Sequence, residues 1–290
     1  VSNLEDDLSR RDFTINALAC DENGEIIDIF NGLRDLKVGI IKAVGEPEKR
    51  FEEDALRTVR AYSFASVLGF KIDESTRNAA IKLSSKINGI SGERLLGELK
   101  KAACGKQPAA ICELISTGVC KEFGLISQAY SKEIFNRVSR IDIAPTSMLA
   151  ILITLCHHDT ELIKAKLKAD NRLLTLIRSL EKLLILDIPK NKKQIRMLLY
   201  KHNILYLRVY FYFLYVSNKV TDNHLFNLLD DVLNCCEPYR VSHLEINGND
   251  LLEIGYTGAE IKESLEKALF AVIDGKIPNT KKALLDFLKN

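Results

Sequence analysis

Three observations predict a mainly helical protein with a small β-containing start. Gly and Pro, the residues that punctuate helices, number only 15 and 6 among 290. Beyond residue 47, Leu and Ile recur at three- and four-residue spacing, the period of helices that each bury one stripe. Short β-branched blocks bounded by turn signals are confined to residues 4–44. A composition of 47% hydrophobic and 28% charged residues is that of a globular chain, with length for two or three small units or one elongated molecule.

In order, the β part reads INALAC at 15–20, a turn over Asp21, Glu22, Asn23 and Gly24, EIIDIF at 25–30, a second turn at Asn31 and Gly32, and GIIKAV at 39–44. The acids Glu5, Asp6 and Asp7 ahead of it read as a loop. Residues 50–70, RFEEDALRTVRAYSFASVLGF, predict one helix. Asp73 can cap a helix over 76–86, and Ser91 can cap GERLLGELKKAAC, which Gly105 ends. Helices follow at 108–125, 131–141, 146–159, 171–186 and 192–216. In the last of these, Tyr206, Tyr210, Phe211, Tyr212, Phe213 and Tyr215 fit core packing better than a base-stacking platform. In the tail, Gly255 stops a short helix, and Thr257 with Glu260 forms a capping box for a helix that Gly275 ends.

A net charge of +2 conceals an asymmetry, because residues 161–208 hold twelve Lys and Arg against four Asp and Glu. Lys190, Lys192, Lys193 and Arg196 are therefore candidates for a phosphate-facing surface, alongside the plainer reading of a solvated helical face. Seven cysteines without a CxxC pair argue against a disulfide framework and a structural zinc site, and fit the reducing cytoplasm. No apolar run is long enough to span a membrane. Cys156, His157, His158 and Asp159 invite a metal reading, but adjacent helical ligands diverge by about 100° and no second His-Asp cluster completes a sphere. No metal site is predicted.

The chemistry centres on the helix over 50–70, where Glu53, Asp54, Arg57 and Arg60 would share one face. Such a face can be a solvated one with ion pairs worth a few tenths of a kcal/mol each. Alternatively, it can read nucleobases. Cytosine and adenine each present an exocyclic amine beside a ring-nitrogen acceptor, whereas uracil and guanine present a carbonyl beside an N–H. A carboxylate with a guanidinium one turn away would accept from the amine and donate to the ring nitrogen, with about 1–3 kcal/mol of discrimination per good pair.

Residues 10–19, RRDFTINALA, followed about forty residues later by EDALRTVR at 53–60, resemble the class II nucleotidyltransferases, the bacterial tRNA CCA-adding enzymes and their poly(A) polymerase relatives. The tail block INGNDL at 246–251 is similar to that of Bacillus-type members. The resemblance implies that residues 1–46 are the last part of a small mixed α/β nucleotidyltransferase head. A helical neck over 47–106, a helical body over 107–221 and a helical, tRNA-binding tail over 222–290 would follow. It further implies transfer of CMP and AMP from CTP and ATP to the tRNA 3′ end, with Mg2+ ions activating the 3′ hydroxyl and stabilising the leaving phosphates. Relatives that add only A or only CC, and a catalytically silent RNA-binding module, share the motifs.

Under the resemblance Arg11, Asp12 and Asn16 contact the incoming nucleotide, Asp54 and Arg57 read its base, and Arg60 reaches the triphosphate. Glu53, Glu93 and Arg94 would support them, the last two as part of an SxER block that braces the base-reading helix. Ser63 stands where many members carry a further Arg. The start VSNLEDDLSRRD lacks an initiator Met and enters almost directly into a motif, so the Mg2+ ligands are expected on a missing N-terminal part and residues 1–290 alone are expected to be inactive.

Overall fold

The computed structural model describes residues 3–126 and 132–289, and the predicted start of a helix at Ser131 lies outside them, as do the side chains of His157 and His158. The protein is mainly α. It forms two compact units, one of residues 1–182 with 216–219 and one of 183–215 with 220–290.

The first unit begins with a helix, α1 (Leu4–Ser9), where a loop was expected. The Asn3 side-chain Oδ1 accepts from the backbone N–H groups of Glu5 and Asp6, and three acids fill the first turn, where the helix dipole favours them. Strands β1 (Leu18–Cys20) and β2 (Ile26–Asp28) pair antiparallel as the predicted hairpin, whose turn is held by Asp21 accepting from Asn23 and Glu25. The second turn leads instead into α2 (Gly32–Val38), because Asn31 adopts φ 61° and the Asp28 carboxylate accepts from the first N–H groups of the helix, on Gly32 and Leu33. The expected strand over 39–44 shrinks to β3 (Ile40–Ile41) and a bridge between Phe13 and Ala43.

The predicted 50–70 helix is two helices, α3 (Pro47–Glu53) and α4 (Leu56–Leu68). After β4 (Lys71–Ile72), which pairs parallel to β3, come α5 (Glu74–Lys82), capped by Asp73, and α6 (Gly92–Ala103), capped by Ser91. Helix α6 buries Leu95, Leu96, Leu99 and Ala102 against α4, which is covered nearly all round. Small polar side chains permit that close approach. Ser63 donates to the Glu98 carbonyl, Ser66 donates to that of Ala102, and a Cβ at Gly105 would fall 2.3 Å from the Ser66 hydroxyl. The remainder of this unit is α7 (Ala110–Ser116), β5 (Leu125–Ile126), α8 (Lys132–Val138), α9 (Pro145–Leu155), β6 (His157–His158), α10 (Thr160–Lys166) and α11 (Asn171–Leu184). Strands β5 and β6 pair antiparallel.

In the second unit, the predicted 192–216 helix breaks at His202 and Asn203 into α12 (Lys192–Lys201) and α13 (Ile204–Val216), where Asn203 accepts from the Leu205 N–H. Tyr210, Phe211 and Phe213 are buried, so this aromatic run serves the core. Then come α14 (His224–Asn234), α15 (Gly248–Glu253), α16 (Ala259–Ile273) and α17 (Lys281–Lys289). Leu251, Leu265, Leu269 and Leu284 form the centre of a tail core. The full capping box belongs to Asn247 and Asp250 at the start of α15, whereas Gly258 is the cap of α16 and only Glu260 reaches back to the Thr257 N–H. All seven cysteines are free thiols, and no helix among the described residues is long and apolar enough to cross a membrane.

Candidate nucleotide-binding cleft

Three short pieces of the first unit converge on one cleft of about 580 Å³: the 10–16 segment after α1, the break between α3 and α4 with the start of α4, and the first turn of α6. Arg10, Arg11, Arg57, Arg60 and Arg94 line it with only Asp12 and Asp54 as acids, so it suits an anion.

Asp12, 9% exposed, organises one wall. Its Oδ1 accepts from the Phe13 N–H at 2.9 Å and from Asn16 Nδ2 at 3.0 Å, while its Oδ2 lies 2.6 Å from Arg60 Nη2 and 2.8 Å from Arg60 Nε. Asn16 therefore braces Asp12. Glu98, a residue that sequence reasoning did not single out, is 5% exposed and sits 3.7 Å from the other arm of the Arg60 guanidinium. A lone carboxylate three residues after Leu95 and one before Leu99, on the buried stripe of an amphipathic helix, was its signal.

Asp54 departs from the helical face on which it was expected. With φ −147° and ψ 104° it is extended, its Oδ1 accepts from the Leu56 N–H at 3.1 Å, and its Oδ2 accepts from Arg94 Nη2 at 3.0 Å. The cap at the start of α4 and an ion pair from a helix 40 residues away overcome the local preference to continue α3. Asp54 and Arg57 thus are not one turn apart on one helix, although both line the cleft. Arg57 donates to the carbonyls of Arg10 at 2.7 Å and Arg50 at 3.2 Å and to Glu53 at 3.1 Å, which commits three of its five N–H donors. Glu53 supports Arg57 from behind and also holds Arg50.

Arg11 pairs with Asp7 and is exposed. Arg94 pairs with Asp54, but Glu93 does not join it: it pairs with Lys168 on the surface. Ser63 packs between α4 and α6, away from the cleft lining.

The proposed RNA-facing cations of the second unit are mostly engaged. Lys192 lies 3.4 Å from both Asp231 and Glu237, and Lys193 lies 2.8 Å from Asp274. Arg196 is 8% exposed, donates to the Pro238 carbonyl at 2.7 Å and pairs with Glu237, so it is a brace between chain segments rather than a surface cation. Burial pulls its ionisation below the ordinary arginine value against the opposing pull of Glu237. Lys190 alone of the four is exposed with no acidic partner among the described residues.

A cationic cleft where the β-containing start of the chain meets its first helices is the kind of site a nucleotidyltransferase uses to hold a nucleotide. The family model described as Poly A polymerase head domain matches residues 1–42, that described as probable RNA and SrmB-binding site of polymerase A matches 69–123, and that described as tRNA nucleotidyltransferase domain 2 matches 146–288. The CCA-adding enzyme of Lactobacillus delbrueckii subsp. bulgaricus is 33% identical over 297 residues, spanning 99% of this chain and 73% of that protein. That of Ligilactobacillus salivarius is 49% identical over 133 residues, 46% of this chain and 33% of the relative. Among solved structures, the Bacillus stearothermophilus CCA-adding enzyme in complex with CTP superposes with TM-score 0.73 at 27% identity, covering 100% of this chain and 74% of that one. The Thermotoga maritima enzyme complexed with tRNA shares the fold, with TM-score 0.72 at 23% identity over 99% of this chain and 73% of that one. The chain belongs to the family of the bacterial CCA-adding enzymes and their poly(A) polymerase relatives.

Proposed function

We propose that the protein is a tRNA nucleotidyltransferase that adds CCA to the tRNA 3′ end from CTP and ATP in the cytoplasm. The observation that carries this reading is the convergence of Asp54, Arg57 and Arg60 with Asp12 in one arginine-rich cleft. In this reading Arg60, held between Asp12 and Glu98, presents a fixed guanidinium to the triphosphate, and Arg11 adds a second. The Asp54 carboxylate keeps lone pairs free beside its bonds to Leu56 and Arg94, so it can accept from the exocyclic amine of C or A, while Arg57 spends its remaining N–H donors on the ring nitrogen. The order head remainder over 1–46, neck over 47–106, body over 107–221 and tail over 222–290 follows the order of the family models along the chain, although the model at 69–123 runs across the 106 boundary and that at 146–288 across the 221 boundary.

Mg2+ is the metal this chemistry implies, and the carboxylates at the cleft do not fit it. Asp12 is taken up by Arg60, Asn16 and a backbone N–H, Asp54 by Arg94 and Leu56, and no three His, Cys, Asp or Glu side chains among the described residues converge. The chain's own part is therefore to bind and orient the nucleotide and the RNA. The protein expressed from its complete coding sequence should extend a tRNA ending before CCA by C, C and A in the presence of magnesium, CTP and ATP. Residues 1–290 alone should leave the RNA unextended on a sequencing gel. No extension by the first, or one added nucleotide by the second, would contradict the proposal.

A further inference from the structure

A second cavity of about 270 Å³ lies in the first unit, among the end of α4, β4, α5, α7 and α8, and shares no lining residue with the arginine cleft. It is just below the roughly 300–1,000 Å³ of ligand pockets, a size for one heterocycle rather than a whole dinucleotide. Phe70, Ile72 and Ala110 give it apolar walls, and Arg77 and Glu113 meet there with Arg77 Nε 3.1 Å from Glu113 Oε1.

Within this pair Arg77 Nε is a buried atom that, although close to Glu113, makes no well-formed hydrogen bond among the described residues. A buried donor so placed beside a cavity that opens to solvent is a group a polar ligand would satisfy.

The kind of ligand follows from the lining and from where it lies in the chain. A carboxylate held against a guanidinium offers an acceptor and donors side by side, which is what the edge of a nucleobase requires, and an adjoining phenyl ring offers a stacking face. Eight of the eleven lining residues fall within 69–123, the segment matched by the family model described as a probable RNA-binding site. We propose that this cavity takes one unpaired nucleotide of the bound RNA, its base against Phe70 and its edge on the Arg77–Glu113 pair with Gln107 at the rim. The inference rests on the reading that the protein binds tRNA, and it assigns a base contact separate from the site of the incoming nucleotide.

Binding of tRNA ending before CCA, measured by fluorescence anisotropy over a salt series, tests it. Phe70→Leu, which keeps an apolar wall but removes the stacking ring, should weaken binding about tenfold. Its salt slope should stay at the wild-type value, because no phosphate contact is lost, and its preference for CTP and ATP in incorporation should be unchanged. Ultraviolet cross-linking of tRNA to the wild-type protein, read by peptide mass spectrometry, should place a nucleotide on Phe70, and this needs no variant to fold. Wild-type affinity in folded Phe70→Leu, or cross-links that leave Phe70 unmodified, would overturn the inference. A wild-type protein that binds no tRNA would remove the proposed function and this contact with it.

Discussion

Arg60 and Arg196 place the same guanidinium in two settings that sequence cannot separate. Arg60 is held by Asp12 and Glu98 yet lines an open cleft, so its charge is oriented and still available. Arg196 is closed over by α12 and the 237–238 segment, and its charge is spent on Glu237 and Pro238. Arg196→Ala should therefore lower the unfolding free energy by about 2–3 kcal/mol, the cost of stranding a partly buried charge partner, in a denaturant titration. Its tRNA-binding salt slope should match the wild type. An unchanged stability with a shallower salt slope would instead return Arg196 to the RNA surface. The charge excess over 161–208 was legible, but which cations are consumed by acids far along the chain, as Lys193 is by Asp274, depends on tertiary contacts.

Capping residues are the element-scale features that the sequence carried best. Asp73 and Ser91 cap α5 and α6 as read, since a side-chain acceptor before an apolar-periodic run works within one turn. The break at Asp54 was illegible for the opposite reason: residues 50–70 hold no Pro and a single Gly, and the residue that draws Asp54 out of the helix is Arg94 on α6. Burial tends to raise the ionisation of Asp73, but bonds from Ser75 and the Thr76 N–H and the charge of Lys42 prevail and hold it below the ordinary carboxylate value of 3.8. A depressed folded-state value means stability that is fully present above the unfolded value and lost as pH falls through the folded one. Asp73→Ala should cost about 1 kcal/mol at neutral pH. The difference between variant and wild type should shrink on acidification below the ordinary carboxylate range, and a difference that stays constant down to acid pH would show that Asp73 does not act as a charged cap.

At the scale of the whole molecule, both ends of the chain announced the family through dense polar motifs: RRDFTINALA and EDALRTVR supply most of the lining of the arginine cleft, and INGNDL supplies the capping box of α15. The helical middle did not, since Leu and Ile stripes satisfy packing in many ways, and the division into two units near residue 182 falls inside α11, ahead of the Pro189 and Lys190 that end the apolar run. What joins the scales is the claim that Asp54 and Arg57 choose C and A by their donor and acceptor pattern. Single-turnover incorporation of each of the four nucleotides by the complete protein and by Asp54→Ala measures that choice directly. Loss of the carboxylate removes the acceptor for the exocyclic amine, so discrimination against UTP and GTP should fall by roughly 1–3 kcal/mol while tRNA affinity holds. Unchanged selectivity among the four nucleotides would contradict it.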